Sequence, residues 1–124
     1  MKRIYIFCAQ GVSTSILVNC MKRYISQEGY NYEVYAYPIL KINELGKYAD
    51  YIFIAPQIKH DLYRVKELLP EKPIEVIDPF VYGQMNGQEL VVQIVENLEN
   101  NKDVCFFIIK QASLFLIKCH ILVF

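Results

Sequence analysis

The stretch CAQGVSTS, residues 8–15, brings a thiol, a glycine and three hydroxyls together: Cys8, Gly11, Ser13, Thr14 and Ser15. Backbone N–H groups at a helix start have no intrahelical partner, and the helix dipole adds partial positive charge, so a helix beginning here attracts an anion. Gly11 gives access to the φ > 0 backbone that wraps closely around a phosphate. The hydroxyls can cap the helix or donate to a bound oxyanion. The same surroundings favour a thiolate, because helix N-termini lower cysteine pKa values from about 8.5 to roughly 3.5–7.5. A thiolate aimed at a phosphoryl centre with amides around its oxygens is a nucleophile set in a transition-state cradle, and the reaction implied is phosphoryl transfer through phosphocysteine. Each residue also has a plainer reading, Cys8 as a small buried hydrophobe and the hydroxyls as helix caps. Their coincidence at one strand-to-helix turn favours the chemical one.

The flanking elements must present that loop. RIYIFC (3–8) is a short apolar run suited to a buried strand. From about Ser13 to Gln27, Ile16, Leu17, Cys20, Met21, Tyr24 and Ile25 recur at helical spacing, and Gly29 ends the pattern. YEVYAY (32–37) reads as a second strand closed by Pro38, residues 41–48 as a short helix or loop, and YIFIA (51–55) as a third strand stopped by Pro56. A helix over Ile58–Leu69 has Leu62, Val65, Leu68 and Leu69 on one side, and PEKP (70–73) breaks it. IEVI (74–77) is the fourth strand, DPFVYG a turn or loop, and Gln88–Asn100 a last helix. Strands alternating with helices predict an α/β fold: an open doubly wound four-stranded parallel sheet with helices on both faces. Ligands of such sheets bind beyond the carboxyl ends of the strands, where strand order reverses, and Cys8 begins the loop at that end.

The chain has 124 residues, enough for one domain with a real core. Lys plus Arg and Asp plus Glu are 13 each, so no cationic face argues for nucleic acid. Hydrophobic residues make up 54% and the mean hydropathy is +0.19, high for a soluble protein and concentrated at the C-terminal end. The four cysteines, Cys8, Cys20, Cys105 and Cys119, form no CxxC pair and no Cys/His cluster at zinc spacing, which predicts no metal site and a reducing cytoplasm. The apolar run in MKRIYIFC is too short, and too soon interrupted, for a signal peptide.

These segments resemble a known family. IYIFCAQGVSTSILV, ADYIFIAPQI and LLPEKPIEVIDPFVYG, in order and followed by the last helix, are similar to the enzyme IIB component of the lactose/cellobiose type of the bacterial sugar phosphotransferase system, from residue 3 to about 98. The resemblance implies that residues 1–102 form the enzyme IIB domain. It implies that Cys8 takes a phosphoryl group from a phosphohistidine on a separate enzyme IIA. Cys8 then passes it to a disaccharide (cellobiose, chitobiose or lactose class) bound by the membrane component IIC. Ala9, Gln10, Gly11, Val12, Ser13, Thr14 and Ser15 would surround the phosphate, with no cofactor or metal. The protein would be cytoplasmic and meet the inner face of the membrane through IIC.

Other residues on the same rim have weaker roles. Gln57, after Pro56, is a candidate contact to the phosphate or a partner, or it only closes a turn. Tyr82 can hydrogen-bond the loop or pack, with packing favoured. Asp78 would repel a phosphoryl anion, and so is expected to cap a turn before Pro79. His60, between Lys59 and Asp61, reads as a solvated or capping residue, and Cys20 as core.

Two rival functions remain. Low-molecular-weight phosphatases and arsenate reductases show C-x5-R, in which a guanidinium grips the phosphoryl oxygens. Here Thr14 holds that position, and no Arg or Lys occurs between Cys8 and Met21. A non-catalytic domain that binds phosphorylated partners is the other reading, although no DNA-binding segment accompanies it.

The resemblance stops after Asn100, leaving residues 103–124 as an apolar tail that contains VCFFIIKQASLFLIKCHILVF. Its length suits a bilayer, but Lys110 and Lys118 oppose insertion at about 2.5–3.5 kcal/mol for a central lysine. A packed element and a tail read from a shifted frame are the alternatives.

Overall fold

The computed structural model describes residues 1–9 and 14–100, with the side chains of 99 and 100 left out. Residues 10–13 and the whole tail from 101 lie outside it, and with them the membrane, packing and shifted-frame alternatives for residues 103–124. The chain divides into Met1–Val91 and Val92–Phe124.

In the first unit, four strands, β1 (Lys2–Cys8), β2 (Tyr32–Pro38), β3 (Tyr51–Ile54) and β4 (Ile74–Val76), form one parallel sheet in the order β2-β1-β3-β4. The last five residues of β1 and all four of β3 are buried without alternation, so the centre of the sheet is covered on both faces. This is the predicted doubly wound arrangement. Its strand order reverses between β1 and β3, beside Cys8.

Register ties the strand ends together. Cys8 pairs with Pro38, and Phe7 pairs with both Tyr37 and Ile54. The ladder runs on past the strands: Ala55 N donates to Phe7 O at 2.9 Å and Ile77 N to Ile54 O at 2.9 Å. The registered β1 and β2 residues Tyr5, Tyr35 and Tyr37 make a tyrosine cluster, with ring centroids 5.0 Å apart for Tyr5 and Tyr37.

Helix α1 (Thr14–Glu28) follows β1 and buries Thr14, Leu17, Val18, Met21 and Ile25. That stripe begins at Thr14 and leaves out Ile16, which is 61% exposed. At 3.6 residues per turn Ile16 lies across the helix from the stripe, and Cys20 falls on its flank and is half-buried rather than core. Residues 41–48 contain the short helix α2 (Ile42–Leu45), as expected.

The single helix expected over 58–69 is two pieces, a 3-10 run over Pro56–Asp61 and then α3 (Leu62–Leu68). Ile58, at φ −118° and ψ 30°, has a backbone that no continuous helix accepts. Val65 is buried but Leu68 is 45% exposed. DPFVYG is not a loop. It forms the short helix α4 (Pro79–Gly83), with Asp78 as its N-cap and Pro79 at its start. Helix α5 (Gly87–Asn100) buries Leu90 and Val91 at its start and continues into the second unit. No helix among the described residues is long and apolar enough to cross a membrane.

Candidate functional site

Cys8 ends the central strand β1 and is 4% exposed. Its thiol donates to the carbonyl oxygen of Tyr37 on the neighbouring strand, with Sγ and O 3.8 Å apart. The sulfur therefore sits at the carboxyl rim of the sheet, held across the β1–β2 pair. Ala9 follows and is exposed. Gln10, Gly11, Val12 and Ser13 lie outside the described residues, and the chain resumes at Thr14 with α1 already formed.

Thr14 is fully buried, the one polar or charged residue other than tyrosine so placed among those described. Its Oγ1 lies 3.5 Å from the hydroxyl oxygen of Tyr82, and either group can donate. Ser15, the next residue, faces outward. The two hydroxyls thus differ in setting: one is committed to the interior and the other lies at the surface.

Tyr82 is 6% exposed and belongs to α4, beyond the edge strand β4. Asp78 fixes that helix. Its Oδ1 accepts from Phe80 N at 2.8 Å and Val81 N at 3.3 Å, and its carbonyl accepts from Tyr82 N at 2.9 Å. The capping role expected of Asp78 is what the structure has, and Tyr82 both packs and meets the first residue of α1. The pairing of Tyr82 with Thr14 escaped the sequence reading. The burial of Thr14 has a local signal, since Thr14 continues the Leu17, Val18, Met21 and Ile25 stripe by one turn, but its partner has none.

Gln57 is exposed in the 3-10 run after β3, on the carboxyl rim of the strand beside β1. His60 stays at the surface, its side chain 73% exposed and Nε2 3.7 Å from Asp61 Oδ2. No group of three or more His, Cys, Asp or Glu that could hold a metal ion occurs among the described residues. The arrangement offers one sulfur nucleophile at a strand end, followed by a helix whose N-terminus carries partial positive charge.

The family described as "PTS system, Lactose/Cellobiose specific IIB subunit" matches residues 3–93. The chain is 33% identical over 103 residues to the oligo-beta-mannoside-specific EIIB component of Bacillus subtilis, covering 81% of this chain and 99% of that one. It is 31% identical over 107 residues to the galactose-specific EIIB component of Lactococcus lactis, covering 80% and 97%. Among solved structures, the cellobiose-specific IIB component of Borrelia burgdorferi superposes with a TM-score of 0.66 at 33% identity, covering 82% of this chain and 94% of that one. The lactose-specific IIB domain of Streptococcus pneumoniae shares the fold at a TM-score of 0.66 and 13% identity, covering 74% and 95%. This chain belongs to the lactose/cellobiose-specific IIB subunits of the sugar phosphotransferase system and is a phosphotransferase.

Proposed function

We propose that this subunit carries its phosphoryl group on Cys8, taking it from a phosphohistidine of an enzyme IIA and giving it to a disaccharide of the cellobiose, chitobiose or lactose class on the membrane component IIC. The observation that carries this reading is the position of Cys8 as the last residue of the central strand, next to the reversal of strand order. A phosphoryl group held beyond that strand end meets the sulfur and the positive end of α1 together.

In the first transfer the thiol sulfur attacks phosphorus, the S–P bond forms as the N–P bond of the donor breaks, and the thiol proton is balanced by the freed imidazole nitrogen. In the second, a sugar hydroxyl attacks the same phosphorus. The S–P bond breaks, and the sulfur regains a proton as the hydroxyl loses one. Amides and hydroxyls of Ala9, Gln10, Gly11, Val12, Ser13 and Ser15 hold the phosphoryl oxygens, and Thr14 contributes its backbone N–H because its hydroxyl faces Tyr82. Gln57, exposed on the same rim, meets the partner protein. The work is done at the cytoplasmic face of the membrane, where IIC holds the sugar.

Thr14 stands where a cysteine phosphatase carries arginine. Without a fixed guanidinium on its oxygens, phosphocysteine is better suited to wait for its acceptor than to hydrolyse.

Incubation with phosphorylated enzyme IIA should give an acid-resistant, iodine-sensitive label on Cys8, absent from Cys8→Ser. An unlabelled wild type, or a labelled Cys8→Ser, would overturn the carrier reading. Rapid release of inorganic phosphate from an aryl phosphate would favour a phosphatase instead.

A further inference from the structure

Helix α1 is held at two levels by one segment of chain, residues 78–87. At its first residue, Thr14 Oγ1 meets the Tyr82 hydroxyl at 3.5 Å, both side chains being buried. Two turns on, Gly87 lies close against the backbone of Cys20 and Met21, where a Cβ built on it would stand 2.6 Å from Met21 N. At 1.5 Å per residue those levels are about 10 Å apart along the helix. The segment between them is itself tightly fixed. Asp78 caps α4, Met85 takes φ 53°, and the amides of Met85, Asn86 and Gly87 donate to Tyr82 O, Val81 O and Met85 O at 3.0 Å each.

The lower contact is steric, backbone against backbone, and it holds the helix body. The upper one is polar and lies where the helix begins, on the residue that closes the stretch after Cys8. Ring packing of Tyr82 alone would serve stability equally well with phenylalanine. The hydroxyl is directed at Thr14, which carries the one buried aliphatic hydroxyl among the described residues.

We infer that Tyr82 is a positioning residue for phosphoryl transfer: through the Thr14 hydroxyl it sets where the first turn of α1 stands relative to the Cys8 sulfur. The inference rests on the carrier reading above and deepens it. Transfer between proteins leaves little chemistry to the chain beyond alignment of sulfur, phosphorus and leaving nitrogen. An ångström of misplacement at such a centre costs up to about a hundredfold in rate. Loss of one hydrogen bond that steers the helix start should cost less.

The test compares Tyr82→Phe, Thr14→Val, their double variant and Thr14→Ser, each at a temperature where it is folded by circular dichroism. At saturating phosphorylated enzyme IIA, Tyr82→Phe and Thr14→Val should each slow labelling of Cys8 about tenfold with KM for the donor little changed, the pattern of lost alignment rather than lost docking. Thr14→Ser, which keeps a hydroxyl, should stay near wild type, and the double variant should be no slower than either single one. A second readout needs no donor: iodoacetamide should alkylate Cys8 several-fold more slowly in both single variants, whereas mere loosening of the structure would expose the buried thiol and speed it. Unchanged transfer in Tyr82→Phe, a change in KM alone, or single effects that multiply in the double variant would overturn the inference. If the wild type takes no label, the carrier reading fails separately, and alkylation then decides: slower in both variants upholds the positioning role, unchanged or faster overturns it.

Discussion

Gly87 and Met21 meet backbone to backbone: a Cβ built on Gly87 would stand 2.6 Å from Met21 N, 2.9 Å from Met21 Cγ and 3.0 Å from the carbonyl carbon of Cys20. Met21 is fully buried, so its side chain has nowhere to yield, and the first residue of α5 can approach α1 this closely only without a side chain. Gly87→Ala is expected to destabilise the fold by about 1–3 kcal/mol through overpacking, outweighing the gain of up to about 1 kcal/mol that alanine brings to a helix. Gly83→Ala is the control, because a Cβ there meets nothing within 4 Å. Urea unfolding of the two variants should separate them clearly. Equal midpoints would show that the helices part without cost.

Asp78 should matter for a different reason. Its carboxylate accepts from two amides at the start of the five-residue helix α4. Asp78→Ala should cost about 0.5–2 kcal/mol, the usual range for a lost N-cap, and Asp78→Asn should recover most of it. The loss should show as faster hydrogen exchange at Phe80 and Val81, with the amides of β1 exchanging more slowly than either.

Cys8 and Cys20 offer a test of thiol activation in which exposure and chemistry point in opposite directions. Cys8 is 4% exposed and Cys20 half-buried, so accessibility alone makes Cys20 the faster to alkylate. The place of Cys8 as the proposed nucleophile, at the strand end that leads to α1, reverses that order. Brief treatment with iodoacetamide at neutral pH, followed by peptide mapping, should find Cys8 modified first. Equal slow rates would remove the argument for an activated thiol.

How far the sequence reaches depends on length and periodicity. β1, β2 and β3 were readable because each is an apolar or aromatic run ended by Gly, Pro or a polar loop, and α1 and α5 because a stripe recurs over several turns. Helix α4 was not, since five residues are too few to show a period. Only the Asp78-Pro79 pair, an N-cap followed by proline, announces it. Ile16 stands at plausible helical spacing yet lies on the outer face, while Thr14, polar and suited to a cap, is fully buried. Its true place depends on Tyr82, 68 residues away, and no local pattern carries that partner. The Gly87 contact is hidden in the same way: the glycine is visible, but what it approaches is not. For the site itself, Cys8 and the helix start were legible as chemistry, while the buried hydroxyl pair behind them required the fold.

The tyrosine cluster on β1 and β2 makes the stability of this chain depend on pH in the alkaline range. Burial pushes the Tyr5 phenol above its ordinary value of 10.0, and its neighbour Tyr37 adds to the rise while Arg3 opposes it. The Tyr35 phenol is raised as well, chiefly because its hydroxyl donates to Glu33 Oε2 at 3.1 Å, but it is exposed and should contribute little. A phenol whose pKa is raised in the folded state binds its proton more tightly there than in the unfolded chain. Its contribution is therefore complete below the unfolded value near 10 and is lost as pH rises through the higher folded value. Unfolding free energy should accordingly fall on passing from about pH 9 to pH 11, and Tyr5→Phe, which cannot ionise, should flatten that fall more than Tyr35→Phe. Denaturant titrations at intervals across the range measure both slopes. A Tyr5→Phe variant with the wild-type slope would assign the alkaline loss to other groups.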